Sequence, residues 1–260
     1  MQEFITLAHH LADEAGAIIR QYYRQPFDVE SKQDESPVTI ADKSVEQRLR
    51  AIIETKRPED GIIGEEYGIK DSKSQYTWVF DPIDGTKSFV IGRPTFGTLI
   101  ALCEDGVPIL GIIDQPILKE RWIGVKDMPT LFGSDAQARY APFNGKPVTT
   151  RPCTDLSKAR LASTGPYCLP NHWQKFAQAS NFIVYGGDCY SYALLASGNI
   201  DAIAEERGGI YDYIALPPII NGAGGHACDW NGKALNLNFT GSMTAIGDIA
   251  LKDQLLEILN

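Results

Sequence analysis

Residues 77–89, TWVFDPIDGTKSF, hold two aspartates where a short apolar run ends. Asp81 closes the predicted strand, Pro82 restricts the backbone that follows, and Asp84 is therefore held in a fixed direction. Two carboxylates this close on a stiff segment repel each other unless a cation lies between them. Mg²⁺ is a hard cation that takes oxygen ligands and bridges to substrate phosphate. The stretch therefore predicts a magnesium site at the end of a strand.

The residues that follow Asp84 suit an anion. Gly85 permits a sharp turn with close backbone approach, and Thr86 and Lys87 open a turn or a short helix. The N–H groups at the start of such a segment bind anions such as phosphate. Asp-Gly is also common in plain turns that a threonine caps, so these residues alone leave both interpretations open.

The composition is that of an ordinary globular protein. The 260 residues are 43% hydrophobic and carry a formal net charge of −9, whereas nucleic-acid-binding surfaces are basic. No apolar run reaches the ~18 residues that span a membrane, and the acidic N-terminus lacks the basic region of a signal peptide. The five cysteines and four histidines show no zinc-ligand spacing. We therefore expect a cytoplasmic protein with reduced thiols, no nucleic-acid partner and no membrane contact.

The first half of the chain, predicted as residues 1–145, has an α+β pattern. Apolar residues at helical spacing predict one helix over 2–24 and a second from Ile40 to near Pro58, joined by a polar, mobile connection over 27–38. The runs YTWVF, TFGTLIALCE, PILGIIDQPI and ERWIGV are separated by turn signals and predict a meandering sheet.

The second half, predicted as residues 146–260, alternates short strands with helices. ARLAST and MTAIG are typical of the strands, and the alternation predicts an α/β arrangement. Pro217 and Pro218 fall inside one predicted helix and should kink or interrupt it. The predicted helices cover 171–180, 188–199, 211–223 and 248–259.

The whole string WVFDPIDGTKSF resembles the metal-binding signature of the inositol-monophosphatase-like superfamily of magnesium-dependent phosphatases. Three further pieces occur in the order of that superfamily: PVTIADKSVE with Asp42, IIGEEYG with Glu65, and IYDYIALPPIINGAGG with Asp212. The resemblance implies an α/β fold, a layered αβαβα sandwich of the inositol monophosphatase and fructose-1,6-bisphosphatase type. It also implies a homodimer that acts on a small phosphorylated substrate.

Each of these pieces has a plainer explanation when it is taken alone. Asp42 could complement the dipole of its helix, Glu65 could lie in a solvated turn, and Asp212 could be a helix N-cap. The joint occurrence of the pieces is what favours a site.

The resemblance implies a role for each residue. The implied ligands of two or three Mg²⁺ ions, for which Mn²⁺ could substitute, are Glu65, Asp81, the backbone carbonyl of Ile83, Asp84 and Asp212. Asp42 and Thr86 are implied as the catalytic pair that orients and deprotonates the attacking water. The implied substrate contacts are Glu65, Ile83, Asp84, Gly85, Thr86, Asp188, Glu205 and Asp212.

Further resemblances narrow the choice among possible substrates. GIIDQPILKERWIG, YGGDCYSYALLASGNID and YDYIAL look most like the histidinol-phosphatase branch. Inositol-type members usually have Thr-Asn after DGT and a tryptophan before the last metal aspartate, whereas this chain has Lys87-Ser88 and Tyr211. Histidinol phosphate carries an ammonium group, which carboxylates at Asp188 and Glu205 could receive. The leading hypothesis is an Mg²⁺-dependent histidinol-phosphate phosphatase.

Other interpretations stay open at this point. The substrate could be inositol monophosphate or another small phosphate ester, and a non-catalytic ligand-binding protein could share the fold. Asp188 could be the N-cap of the following helix, and Glu205 could be a solvated strand end. Arg207 lies beside the expected glutamate and could pair with it or bind a second anionic group.

Overall fold

Two amphipathic helices form the outer layer of the first half. The computed structural model describes residues 1–26, 29–31, 37–134, 145–239 and 241–260, and at 29–31, 37, 38 and 207 the backbone alone. α1 is Gln2–Tyr22 and α2 is Ile40–Lys56, so both predicted helices are confirmed. The Thr39 hydroxyl caps α2 by accepting the N–H of Ala41 at 3.1 Å. The apolar stripes of the two helices pack on each other and on a sheet.

The connection between these helices contains a short hairpin where the sequence indicated only a polar segment. β1 (Val29–Ser31) pairs antiparallel with β2 (Pro37–Thr39). The other residues of the predicted connection, 27–28 and 32–36, lie outside the described residues.

An eight-stranded sheet forms the second layer. Its strands are β3 (Gly61–Gly64), β4 (Gly68–Lys70), β5 (Tyr76–Asp84), β6 (Gly97–Glu104), β7 (Val107–Gln115), β8 (Glu120–Val125), β9 (Leu131–Gly133) and β10 (Lys146–Pro147). Their order is β10–β9–β8–β7–β6–β5–β3–β4. β5 to β8 form the predicted antiparallel meander, whereas β3 runs parallel to β5. A short helix, α3 (Thr86–Val90), follows β5.

The second half contains a five-stranded sheet with mixed strand directions. Its strands are β11 (Arg160–Ser163), β12 (Phe182–Tyr185), β13 (Ala202–Gly208), β14 (His226–Asp229) and β15 (Gly241–Ile246). Their order is β12–β11–β13–β15–β14. β11 is parallel to both of its neighbours, whereas β15 is antiparallel to both of its own, and β14 and β15 follow each other without a helix between them.

The helices of this half are short. They are α4 (Trp173–Gln178), α5 (Asp188–Ala196), α6 (Ile210–Tyr213), α7 (Leu216–Gly222) and α8 (Lys252–Leu259), with 3-10 turns at Leu156–Lys158, Pro166–Cys168 and Ile249–Leu251. α5 and α7 lie between the two sheets, and α4 and α8 pack on the outer face of the second sheet. The layers are therefore αβαβα, which confirms the predicted fold class.

The helix predicted over 211–223 is divided in two, as the proline pair required. α6 ends at Tyr213, and Pro217 and Pro218 occupy the first turn of α7, where their missing N–H groups would have no intrahelical partner. α6 is therefore a separate segment of four residues.

The predicted division at 145/146 stays a prediction. β10, Lys146–Pro147, lies just beyond it and still pairs with β9 of the first sheet. Within the described ranges, no helix combines the length and the apolar character that crossing a membrane requires.

Candidate active site

A bulge in β5 brings Asp81 and Asp84 to the same side of the sheet. Side chains three residues apart on a regular strand point to opposite faces. Here Asp81 pairs with Leu99 and Asp84 pairs with Gly97, so three steps along β5 lie opposite two steps along β6. The extra residue reverses the alternation, and both carboxylates join one cluster.

The residues around the bulge suit its geometry. Pro82 has no N–H to lose from the ladder, and its carbonyl accepts the Thr98 hydroxyl at 2.8 Å. Gly85 has a φ of +87°, which favours glycine, and a Cβ there would lie 2.6 Å from Asp188 Oδ2. Gly85 is thus required both by its backbone conformation and by the close approach of the second half.

Asp212 joins the cluster from the second half. It lies in the first turn of α6, where its Oδ2 accepts the N–H of Gly209. Carboxylate oxygens of Asp81, Asp84 and Asp212 all lie within 4.8 Å of one another. We call these three residues the aspartate triad. Asp212 therefore caps its helix from inside, at the third helical residue, rather than as the N-cap.

The triad has no cationic partner in the part of the chain that the structure describes. None of the ion pairs there includes Asp81, Asp84 or Asp212. Asp81 is 2% exposed, and its Oδ1 is buried without a hydrogen-bond partner. An orphaned buried carboxylate oxygen is costly and calls for a ligand.

Burial and mutual repulsion raise the pKa values of the triad. Burial raises the pKa of Asp81 well above its usual range, and the charges of Glu65 and Asp84 raise it further. Burial likewise raises the pKa of Asp84, with Asp188 the next cause. The pKa of Asp212 rises to about 7, through burial and then the charge of Glu65. Ionisation of all three carboxylates is therefore unfavourable unless a cation joins them.

These residues fit a divalent metal ion. The donors are carboxylate oxygens, one of them without a partner, and they converge from two halves of the chain. An all-oxygen set of this kind suits hard cations such as Mg²⁺ or Mn²⁺.

Asp42 and Thr86 meet beside the triad. Asp42 is fully buried in the first turn of α2, where its Oδ2 accepts the Thr39 N–H at 2.8 Å and also the Thr39 hydroxyl. Its Oδ1 lies 3.4 Å from Thr86 Oγ1, which is also 3.1 Å from the carbonyl of Ile83. One oxygen of Asp42 thus caps the helix, and the other faces the cluster. Burial raises the pKa of Asp42 to about 6.

Glu65 lies in the turn between β3 and β4, half-buried rather than fully solvated. Its charge contributes to the raised pKa values of Asp42, Asp81 and Asp212. The three aspartates and Glu65 therefore act on one another electrostatically from four separate elements.

A cavity of about 140 Å³ opens beside the triad. It is lined by Asp84, Thr164, Cys168, Asp188, Cys189, Tyr192, Glu205, Glu206, Gly208, Asp212 and Tyr213. Glu205 is 7% exposed, accepting the Thr164 N–H at 2.7 Å and the Tyr192 hydroxyl at 3.1 Å. The interpretation of Glu205 as a solvated strand end is therefore wrong.

Asp188 stands at the junction of the two halves. Its Oδ2 accepts the Ser88 hydroxyl of α3 at 3.1 Å, and the next residue, Cys189, donates its N–H to Asp84. Gly187, not Asp188, is the N-cap of α5, so the capping interpretation is wrong. Burial raises the pKa values of both Asp188 and Glu205. The cavity is thus a strongly acidic one.

A larger cavity, about 480 Å³, lies elsewhere, between α7 and the ends of β7 and β8. Its walls are mainly apolar and proline-rich, and they include neither the triad nor Asp42. We therefore assign the chemistry to the smaller, acidic cavity.

Three residues that donate hydrogen bonds to Asp188 or Glu205 were not predicted from the sequence. They are Ser88 and Tyr192, which donate their hydroxyls, and Thr164, which donates its backbone N–H. Ser88 lies inside the opening stretch, and Tyr192 follows Asp188 by four residues on a predicted helix, so both carried a weak signal. Thr164 carried none. The side chain of Arg207 lies outside the described part of the chain, so its predicted pairing stays a prediction.

Comparisons with known proteins agree on one family. The sequence profile of the inositol monophosphatase family matches residues 1–258. The bifunctional phosphatase IMPL2, chloroplastic, of Arabidopsis thaliana is 43% identical, over 100% of this chain and 75% of that protein. The histidinol-phosphatase of Mycobacterium tuberculosis is 34% identical, over 88% of each chain. The solved structure of an inositol monophosphatase from Zymomonas mobilis is 45% identical, with a TM-score of 0.87 over 99% of this chain and 98% of that one.

Proposed function

Because the chain belongs to the inositol monophosphatase family, a family of phosphatases, we propose that it hydrolyses L-histidinol phosphate to L-histidinol and phosphate with Mg²⁺. The observation that carries this substrate is the acidic pair Asp188 and Glu205 in the cavity beside the triad. Histidinol phosphate presents an ammonium group beside its phosphate, and a cationic partner relieves the cost of desolvated carboxylates. The histidinol-phosphatases among the relatives support the same assignment.

The metal site of this proposal uses the triad with two further oxygens. Asp81, Asp84 and Asp212 would hold Mg²⁺ together with Glu65 and the carbonyl of Ile83. When bound, Mg²⁺ supplies positive charge that neutralises phosphate oxygens and lowers the pKa of water. The orphaned oxygen of Asp81 and the raised pKa values of the triad support a cation here.

Asp42 and Thr86 handle the proton in this proposal. The Thr86 hydroxyl holds the attacking water, and Oδ1 of Asp42 receives the proton that the water loses. A base works best when its pKa lies near the working pH, and burial raises the pKa of Asp42 to about 6. The two hydrogen bonds from Thr39 keep the carboxylate of Asp42 in one orientation. Asp42→Asn should therefore lower kcat by ~10²- to 10⁴-fold while substrate still binds.

The rest of the substrate lies between the two halves. The N–H groups of Gly85 and Thr86, at the start of α3, would receive phosphate oxygens. Asp188 and Glu205 would receive the ammonium group, held in place by Ser88 and by Thr164 and Tyr192 respectively.

The first experiment measures phosphate release with Mg²⁺ from L-histidinol phosphate and from inositol 1-phosphate at equal concentration. We expect a preference for histidinol phosphate of ~100-fold in kcat/KM, about 2.7 kcal/mol. Asp188→Asn and Glu205→Gln should each weaken that preference with far less effect on inositol 1-phosphate. Comparable rates for the two esters would overturn the histidinol assignment and leave the metal chemistry in place.

The alternative substrate is inositol 1-phosphate itself. The 45% identity to the Zymomonas mobilis inositol monophosphatase favours it. A preference for inositol 1-phosphate in the same assay would establish it. A purely ligand-binding protein would release no phosphate from either ester, and Asp42→Asn would leave its binding unchanged.

A further inference from the structure

A buried glutamate lies directly beneath the turn that carries Glu65. Glu46 of α2 is 0% exposed, although it belongs to a residue type that is almost never fully buried without partners. Its Oε2 accepts the backbone N–H of Glu66 at 2.6 Å, and its Oε1 accepts that of Tyr67 at 3.1 Å. The carboxylate therefore holds the two peptide groups that follow Glu65.

The same turn is held at its other end by Arg50. The Nε of Arg50 lies 2.7 Å from Glu46 Oε1, and its Nη2 donates to the carbonyl of Gly68. Glu46 and Arg50 thus bind donors and acceptors on both sides of the turn between β3 and β4. Side chains of α2 therefore hold this turn in addition to its own backbone pairing.

Gly64 makes the close approach possible. A Cβ at Gly64 would overlap the carboxylate of Glu46. Packing therefore explains the glycine before Glu65, since the carboxylate of Glu46 occupies the space that a side chain at position 64 would need.

The partners of Glu46 link it to the metal site. Asp42, Glu46 and Arg50 are spaced four residues apart on α2 and so lie along one face of the helix. Asp42 is the member of this row that lies beside the triad. Glu46, one turn further along the helix, accepts the N–H of the peptide group that follows Glu65. One rigid helix therefore sets the position of the base and of a predicted metal ligand together.

We propose that Glu46 is a positioning residue that fixes Glu65 for metal binding. The inference deepens the proposed function and rests on it, because it takes Glu65 as a metal ligand. Partners of this kind behind metal ligands typically change metal affinity or activity by ~10- to 100-fold when they are removed. A purely structural role would instead lower stability and leave the affinity of the folded protein for metal unchanged.

The test compares Glu46→Gln with wild type in direct metal binding. Glutamine keeps the size of the side chain but turns an NH₂ group toward a backbone N–H. One of the two backbone N–H groups, of Glu66 or Tyr67, therefore loses its acceptor. We expect the dissociation constant for Mn²⁺, followed by electron paramagnetic resonance without substrate, to rise by ~10-fold or more. The Mg²⁺ concentration for half-maximal phosphate release should rise in parallel, and KM at saturating Mg²⁺ should change little.

Two controls keep the result interpretable. Glu54→Gln makes the same change at an exposed position of the same helix and should leave Mn²⁺ binding at the wild-type value. Arg50→Gln removes the ion pair with Glu46 and the contact with Gly68 but leaves the Glu46 carboxylate to accept the N–H groups of Glu66 and Tyr67, so a smaller rise is expected. This variant also provides the test if Glu46→Gln does not fold. Thermal unfolding in EDTA measures the folded fraction of each variant.

The outcomes separate the inference from the proposed function. Unchanged Mn²⁺ affinity in folded Glu46→Gln and Arg50→Gln would overturn the positioning role while wild type still binds metal and releases phosphate. Wild type that binds no Mn²⁺ and releases no phosphate would overturn the proposed function itself.

Discussion

Two groups of desolvated carboxylates in the first sheet handle their charge in opposite ways. In one, Asp114 of β7 lies opposite Arg121 of β8, and the guanidinium is 2.7 Å from Asp114 and 2.8 Å from Asp13 of α1. In the other, Asp81 and Asp84 at the end of β5 have no ion pair with any lysine or arginine among the described residues. The same sheet therefore contains one cluster that is neutralised internally and one that is not.

The difference separates a structural charge from a functional one. The buried carboxylate of Asp114 holds two layers together, and the chain itself supplies its cation. That cation is Arg121, which also pairs with Asp13 and so connects α1 to the sheet. At the triad the carboxylates raise one another's pKa values instead. A site of that kind sacrifices stability in the free protein and regains it from a ligand.

The largest effect is expected from Asp84→Asn, which removes one charge from the triad. Phosphate release should fall by about 1,000-fold, or ~4 kcal/mol, because a charged metal ligand is lost. In EDTA the same variant should unfold at a higher temperature than wild type, since like charges no longer repel. Asp71→Asn, at an exposed position, is the control for both measurements. A lower unfolding temperature for Asp84→Asn in EDTA would contradict the account of the triad as a repulsive cluster.

The second-largest effect is expected at the Asp114–Arg121 cluster, where stability should fall and activity should not. Arg121→Met should lower the free energy of unfolding by ~3–5 kcal/mol, because Asp114 stays buried without its guanidinium. The activity per folded molecule and its Mg²⁺ dependence should stay close to wild type. Chemical denaturation and an activity titration measure the two quantities. A large shift in the Mg²⁺ dependence would show that the two clusters are not independent.

The pH dependence of stability sharpens the comparison further. The pKa of folded Asp212 is about 7 and that of Asp42 about 6, both above the usual 3.8. A folded-state pKa that is raised means tighter proton binding in the folded protein, so stability is lost as the pH rises through the window from about 4 to about 7. In EDTA, the unfolding temperature should therefore increase when the pH is lowered from about 7.5 to about 5.5.

Mg²⁺ should reverse that trend. Protons and metal compete for the same oxygens, so the stabilisation by Mg²⁺ should be greater at about pH 7.5 than at about pH 5.5. Asp212→Asn should flatten the pH dependence in EDTA. An unfolding temperature in EDTA that falls on acidification over this range would count against the raised pKa values.

The smallest effect is expected from Ser88→Ala. It removes the hydroxyl that donates to Asp188 at 3.1 Å, a bond that contributes about 1 kcal/mol. KM for histidinol phosphate should rise by a few fold while kcat stays within a factor of about two. Thr55→Ala, which removes an exposed helix hydroxyl, is the matched control. An unchanged KM would indicate that Asp188 needs no support from α3.

Much of the fold followed from patterns along the chain. Helical spacing located α1 and α2, turn signals located the meander, and the proline pair marked the break before α7. Pairing across the sheet was less accessible, because the parallel neighbour of β5 is β3 rather than a strand adjacent in sequence. The homodimer and the cytoplasmic location stay predictions from the resemblance and the composition.

The candidate site was predictable as a set of residues but not as a geometry. Motifs named Asp42, Glu65 and the triad, and the structure brings them together, while their roles stay proposals. The bulge in β5 depends on its pairing with β6, which no local pattern contains. Glu46 was missed because its partners are backbone N–H groups, which have no signature in the sequence.

The bulge in β5 also limits how this site can evolve. A substitution at Asp81 or Asp84 changes one carboxylate and leaves the other pointing the same way. Regular pairing of β5 with β6 over this stretch, without the bulge, would instead put Asp84 on the far face of the sheet. The site therefore depends on an irregularity in strand pairing as well as on its residues, so a change in β6 that removed the bulge would separate the two carboxylates without altering either of them.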